Sequence, residues 1–587
     1  MSLKSSQDSE IYKKYNLKVG LEIHFQLNTG RKLFCHCPIG LKSNVEGYEF
    51  IRKLRPTQSE LGQVDPAAYF EFQKGTIINY ISPLEYTCLV EADEEPPHDI
   101  CEDAIKVALK VARYLKALII DEIHVMRKIV IDGSNPTGFQ RTAIIGLGGE
   151  IYVKNINKKV PIQSICLEEE AARLIERKGN SVKYYLDRLG IPLIEISTAP
   201  VINTPEEAIE VATALCRVVT ATGLRRRGIG TIRQDINISV LGGEPVEIKG
   251  VQKLPQLAKV IRFEFKRQLG LIELAKELQR RGITENDIIN SCIIDATDIF
   301  KDSECKIIRR VIRSGGKVYA IKLKGFGGLI GKEIAENHRL GKEFSERVRF
   351  WSGLGGIFHS DELPAYGISM DEIKRLVRML DMDEKYDAFI IVAGSENQVR
   401  VAIEKIIERA IEALKGVPSE TRGAREDGST FYMRPRPGMA RMYPETDIPP
   451  IYISKELIKE IDENPLPDPE EVISNLISQY NLNRELALKI YDSDYFDLFK
   501  RLASIVKKID YKYLASLLTD RLSELESEGI DTSLIDDKML YEVIKAVENG
   551  LIEKEAILEV LKYSIKNNVS ILDSINALSL KLIKIIK

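Results

Sequence analysis

Residues 19–28, VGLEIHFQLN, alternate apolar and polar side chains. Val19, Leu21, Ile23, Phe25 and Leu27 share one parity, and Glu22, His24, Gln26 and Asn28 share the other. Period-two alternation predicts a strand with one buried face. Residues 232–240, IRQDINISV, repeat the arrangement, with Ile232, Ile236, Ile238 and Val240 backing Arg233, Asp235, Asn237 and Ser239. Val246-Glu-Ile-Lys sets Glu247 and Lys249 on one side. An antiparallel sheet can simply turn such faces to water. Three strands that concentrate Glu, His, Asp, Asn and Ser, however, offer the oxygen and nitrogen ligands of a magnesium site.

A fourth segment, Cys166-Leu-Glu-Glu-Glu-Ala-Ala-Arg, reads as a strand-like run (Ile162 to Leu167) passing into a helix. Three carboxylates in a first helical turn suit the macrodipole. If they face a cleft they repel one another unless a cation lies between them. Further helices are predicted near Ile105 to Leu118 and from Glu206 to Thr220, the second behind the start signal Thr204-Pro205.

The rhythm changes from about Thr284 to Gly416. Apolar runs such as Val318-Tyr-Ala-Ile-Lys-Leu and Ala388-Phe-Ile-Ile-Val alternate with helical patterns, as in an α/β or α+β insert. Its last helix has capping-box spacing at Ser395 and Gln398, then one stripe of Ile403, Ile406, Ile407, Ala410, Ile411 and Leu414. Residues 417–452, rich in Pro, Gly and Arg, predict an ordered loop system. Beyond Pro465-Leu-Pro-Asp-Pro the pattern is helical, with a break near Gly529.

Composition narrows the class. At 587 residues the chain exceeds one core and suggests about four domains. Apolar residues at 44% and charged residues at 29% exclude wholesale disorder. No apolar run is long enough to span a bilayer, and MSLKSSQDSEIYKKYN lacks the core of a signal peptide. Eight scattered cysteines point to a reducing, cytoplasmic setting. Lys+Arg 84 against Asp+Glu 87 means that a nucleic-acid partner must use a local basic surface. Such a surface is suggested by the lysines of Ile505-Val-Lys-Lys-Ile and of the terminal Lys581-Leu-Ile-Lys-Ile-Ile-Lys. Familiar nucleotide signatures are missing: Gly315-Gly-Lys-Val is not a P-loop, and Gly325-Phe-Gly327-Gly-Leu-Ile-Gly331 misses GxGxxG by one residue and predicts a turn after a strand.

VGLEIHFQLNTGRKLFCHCP, CLEEEAARL, DRLGIPLIEI, GTIRQDINISV and VEIKG, in this order, resemble the tRNA-dependent amidotransferase B/E subunit family. MRKIVIDGSNPTGFQRT and EADEEPPH are similar to its archaeal E branch. The resemblance covers nearly the whole chain. It implies a multidomain α+β fold: a cradle-shaped, mostly β catalytic domain with helices (1–283, completed by 417–455), and an inserted α/β, aspartyl-tRNA synthetase-like domain (284–416). All-α helical (456–528) and tail (529–587) domains would follow.

The same resemblance implies an activity. ATP would phosphorylate the γ-carboxylate of Glu-tRNA(Gln). Ammonia from an asparaginase-like glutaminase, the D subunit of the amidotransferase, would then amidate it, in an assembly of two D and two E subunits. The resemblance further implies that Glu22, His24, Glu168, Glu169, Asp235 and Glu247 form a Mg²⁺-binding catalytic cleft. Arg233 and Lys249 would meet phosphate oxygens of ATP, with Arg127, Lys128 and Arg188 as further candidates for that task. Cys35, Cys37 and Cys88 resemble part of a zinc site, which Glu85, His36 or Cys101 could close. A non-catalytic tRNA-binding scaffold and a stand-alone synthetase are the competing expectations.

Overall fold

The computed structural model describes residues 10–578, apart from 42–45, 56–61, 63, 65–68, 70–71, 73–74, 229 and 437–441. The lysines from Lys581 onward and the centre of the 417–452 segment therefore lie outside the described residues. Alternation in the first part of the chain resolves into a large sheet, 12-stranded among the described residues, and a separate four-stranded one (Tyr48–Lys53, Ile77–Ser82, Arg173–Lys178, Ser181–Tyr185). The main strands of the large sheet are β1 (Lys18–Gln26), β2 (Val125–Ile129), β3 (Phe139–Leu147), β4 (Lys158–Glu169), β5 (Pro192–Thr198), β6 (Ile232–Ser239), β7 (Val246–Val251), β8 (Glu420–Ala424), β9 (Thr430–Pro435) and β10 (Met442–Pro444). Laterally they run β9-β8-β7-β6-β1-β5-β4-β3-β2-β10. Neighbours are antiparallel except for the parallel pair β7–β8.

The central strands divide by parity as expected. Val19, Leu21, Ile23 and Phe25 are sealed in the core, while Glu22 and His24 are half-buried on the other face. Helix α1 (Glu102–Tyr114) packs on β3 and β4. Helix α2 (Pro205–Ala221) starts where Thr204 accepts the Glu207 N–H at 3.1 Å. Helix α3 (Leu254–Arg280) packs on β6 and β7. Its 27 residues escape a periodicity search because the buried stripe includes Glu264, Arg267 and Gln268 beside Leu257, Ile261 and Phe265.

Three expectations need correction. No helix follows Cys166: β4 runs on through Glu169, and the next regular element is the strand Arg173–Lys178. The macrodipole therefore does not explain the three glutamates. Residues 417–452 are not loop alone: β8, β9 and β10 lie within them and complete both ends of the sheet. The four-stranded sheet within residues 284–416 (Ile293–Asp295, Lys317–Leu323, Ala388–Gly394, Phe358–His359) is antiparallel throughout. This stretch is α+β rather than α/β, a distinction that strand–helix alternation cannot make. As expected, Gly325 turns the chain after Lys317–Leu323, at φ 75°.

Helices α4 (Leu340–Ser352) and α5 (Glu396–Lys415) lie within residues 284–416, and α5 has the expected Ser395–Gln398 capping box. Between α3, α4, α5 and β8 lies a fully buried ion network. Arg267 bonds Glu264 (2.8 Å), Glu343 (2.9 Å) and Glu420 (2.5 Å). Glu420 also receives Arg347 and Arg422, each at 2.7 Å. His338 bonds Glu343 at 2.6 Å, a structural use of this histidine.

The chain divides into two compact units, Met1–Ala212 with Ile229–Lys459, and Thr213–Gly228 with Glu460–Lys587. The second unit is helical, and apolar side chains from both sides of Gly529, Phe499 and Leu518 with Leu540 and Leu561 among them, share one cluster. Within it Arg217 grips Asp492 bidentately at 2.7 and 2.6 Å.

Candidate active site

Strand register assembles the site. β1 sets Glu22 opposite Asp235 and His24 opposite Arg233 on β6, and His24 opposite Glu195 on its other neighbour, β5. β7 adds Glu247 and Lys249, and β4 adds Glu168 across from Thr142 of β3. These side chains line a cavity of about 650 Å³, together with Lys128, Gln140, Glu170, Phe350 and Arg434.

Two groups of three side chains with metal-ligand chemistry face the cavity: His24–Glu168–Glu195 and Glu22–Asp235–Glu247. In each, one ligand atom per residue lies within 4.8 Å of the others. His24 Nε2 is 3.2 Å from Glu195 and 3.7 Å from Glu168. Lysines stand among the acids. Lys249 Nζ lies 2.6 Å from Asp235 and 2.8 Å from Glu247, and Lys128 Nζ lies 3.2 Å from Glu168. Hydroxyl and amide donors fix individual oxygens: Thr142 donates to Glu168 (2.9 Å), Asn237 to Glu22 (3.0 Å), Ser197 to Glu195 (3.1 Å) and Thr421 to Glu247 (2.7 Å).

The electrostatics follow from this crowding. Burial, then the neighbouring Glu195, pushes the Glu22 carboxyl above its usual range. Burial would raise Asp235 as well, but the charges of Lys249 and His24 and the hydrogen bonds from Lys249 and Gly250 together outweigh it and hold the carboxyl low. For His24 burial works downward, yet the Glu195 hydrogen bond and charge win and raise it. Acids sharing a small volume with too few cations bind divalent metal readily.

Not every expected residue joins. Glu169 points through the sheet to the opposite side, where it accepts the Arg141 backbone N–H at 2.8 Å. It lies away from both ligand groups, because strand parity separates it from Glu168 and Glu170. Arg127 is engaged by Glu445 and Asp447 and stacks over Phe139. Arg188 spends its guanidinium on the Ala171 and Ala172 carbonyls. Neither lines the cavity. Arg233 does, held at 2.7 Å by the buried Glu170. Glu195 is an addition to the expected set. It sits in DRLGIPLIEI inside a run buried throughout, and only the parity of Leu193, Glu195 and Ser197 hints that it faces the cleft.

Residues 17–459 match the family described as the GatB/GatE catalytic domain. The chain belongs to the GatB/GatE family. It is 51% identical over 553 residues (94% of this chain, 86% of the relative) to the E subunit of glutamyl-tRNA(Gln) amidotransferase from Methanocaldococcus jannaschii. It is 47% identical over 561 residues (95% and 86%) to the protein of that name from Aeropyrum pernix, and 45% over 553 residues (94% and 86%) to that of Methanopyrus kandleri. Among the described residues of this GatB/GatE chain, no helix is long and apolar enough to cross a membrane.

This family member also gathers Cys35, Cys37 and Cys88, and the fourth group is Glu91 rather than Glu85, His36 or Cys101. Cys35 and Cys88 approach Glu91 at 3.1 and 3.2 Å, and the buried Lys32 lies 2.8 Å from the same carboxylate. Hydrogen bonds from Cys35 and Cys37 pull the Cys88 thiol well below its ordinary range. His36 instead packs against His98, ring centroids 5.2 Å apart.

Proposed function

We propose that this chain is the component of a glutamyl-tRNA(Gln) amidotransferase that activates and amidates tRNA-bound glutamate. The observation carrying this reading is the cavity itself, where two acid-rich groups and the cationic side chains of Lys128, Arg233, Lys249 and Arg434 face one another in a chain whose relatives bear that name. A carboxylate is a poor electrophile, with oxide as its leaving group. Attack of the glutamyl γ-carboxylate on the γ-phosphorus of ATP releases ADP and gives an acyl phosphate. Ammonia then adds to the acyl carbon, phosphate leaves and a proton is lost, which yields the amide.

Such chemistry depends more on positioning and charge than on a protein nucleophile. Mg²⁺ held by His24, Glu168 and Glu195 and by Glu22, Asp235 and Glu247 would supply charge neutralisation for the phosphates. Arg233, fixed by Glu170, presents a planar fork to phosphate oxygens. Lys128 and Lys249 act as point charges, and incoming phosphates compete with the acids that now hold them. A partner glutaminase would provide the ammonia. Cys35, Cys37, Cys88 and Glu91 suit a structural zinc. The cradle (1–283 and 417–455), insert (284–416), helical (456–528) and tail (529–587) divisions belong to the same proposal.

Asp235→Ala tests it. Glu-tRNA-dependent ATP cleavage should vanish while tRNA affinity stays within about threefold, since the carboxylate serves the metal cleft. Wild-type cleavage in this variant would favour the scaffold reading.

A further inference from the structure

We propose that Thr421 is a positioning residue that fixes Glu247 for the second cation site, so that this site is completed only by chain from beyond the insert. The inference rests on the cation reading of the cleft. Among the described residues, the Glu247 carboxylate has two donors. Lys249 Nζ approaches Oε1 at 2.8 Å and the Thr421 hydroxyl donates to Oε2 at 2.7 Å. They respond differently to a divalent ion. The ammonium of Lys249 carries the same sign of charge, also bridges Asp235 at 2.6 Å, and would be repelled by a divalent ion that these acids held. The neutral hydroxyl is not repelled. With the ion bound, Thr421 is the donor left to orient the carboxylate, the task that partners behind metal ligands perform generally.

The hydroxyl is itself firmly set. Thr421 is fully buried, and a β-branched side chain has little χ1 freedom. Its strand is pinned from both sides, Thr421 facing Glu247 on β7 and Arg434 on β9. The adjacent Glu420 and Arg422 turn the other way, into the buried ion network with Arg267, Glu346 and Arg347. Helix α4 supplies Glu346 and Arg347 to that network and Phe350 to the cavity wall, so the insert holds the strand that carries the donor.

Mn²⁺, standing in for Mg²⁺, is titrated into the full-length protein and counted by electron paramagnetic resonance. Wild type should bind two ions per chain. Thr421→Val should keep one and weaken the other about tenfold or more, in the range seen when a metal ligand loses its orienting partner. Thr421→Ser, which retains the hydroxyl, should stay within about threefold of wild type, and Thr421→Ala should follow Val, which separates the hydrogen bond from packing. In a Glu247→Gln background, Thr421→Val should cause no further loss, because the threonine acts through that carboxylate. Two ions of unchanged affinity in Thr421→Val, or an undiminished effect in the Glu247→Gln background, would overturn the inference and leave the cation reading standing. Wild-type protein that binds no Mn²⁺ sensitive to Asp235→Ala would overturn both.

Discussion

Glu168, Glu169 and Glu170 are consecutive and chemically alike, yet each has its own task. Glu168 faces the cavity beside His24, Glu169 braces the far side of the sheet, and Glu170 lies buried beneath Arg233. Glu168→Gln should therefore cut tRNA-dependent ATP cleavage by roughly 10- to 100-fold, whereas Glu169→Gln should leave it within about threefold. Single-turnover ATP assays on the two variants decide this, and equal losses would mean that Glu169 serves the cleft after all. Period-two reasoning finds Glu22, His24, Arg233, Asp235, Glu247 and Lys249, because their strands are apolar on one parity and polar on the other. It fails at β4, where the glutamate run suggests a helix, and at β5, where Glu195 is enclosed by apolar neighbours. Arg127 and Arg188 are beyond its reach for another reason: a guanidinium's partner is a tertiary fact, and Glu445 is 318 residues away from Arg127.

At the scale of elements, β8 is the least legible. A segment reading Glu420-Thr-Arg-Gly-Ala does not resemble a central strand, because charge is normally absent from one. Here ion pairing replaces apolar burial. Burial alone would raise the Glu420 carboxyl, but Arg267, Arg347 and Arg422 together hold it down to about 2. A depressed carboxyl contributes stability that is fully present above its unfolded value of 4.5 and lost as pH falls through about 2. Wild-type denaturation midpoints should accordingly begin to drop below pH 4.5. Glu420→Gln should cost about 3–5 kcal/mol at neutral pH, since it strands buried arginines, and should flatten that acid limb. Urea titrations from neutral pH down to about pH 3 measure both effects, and an unchanged limb would place the acid sensitivity elsewhere. The same masking hides α3, whose buried stripe is partly charged.

For the molecule as a whole, five ordered motifs point to the family, while the division into units is only partly readable. The tail break at Gly529 falls inside one apolar cluster, so charge substitution probes RNA recognition more cleanly than truncation there. Lys507 and Lys508 are exposed at a helix junction where Glu548 accepts their backbone N–H groups. Replacing both side chains with alanine should weaken tRNA binding at low salt and reduce the salt slope by roughly one per lost phosphate contact. Filter binding across a salt series tests this, and an identical slope would acquit these lysines.

The parallel pair β7–β8 joins residues 174 positions apart. At about 5–20 residues per second, a ribosome needs roughly ten to thirty seconds to deliver the second strand after the first. Throughout that interval β7 is an open edge, and an open edge invites pairing with other nascent chains. Glu247 and Lys249, charged and set inward, make it a poor template for such pairing. Closing a floppy loop of that length would be entropically costly, and the contact between helices α3 and α5, once formed, would shorten the span to be closed. The charges that line the cavity of the finished protein would thus serve an earlier purpose, as guards of an unfinished sheet.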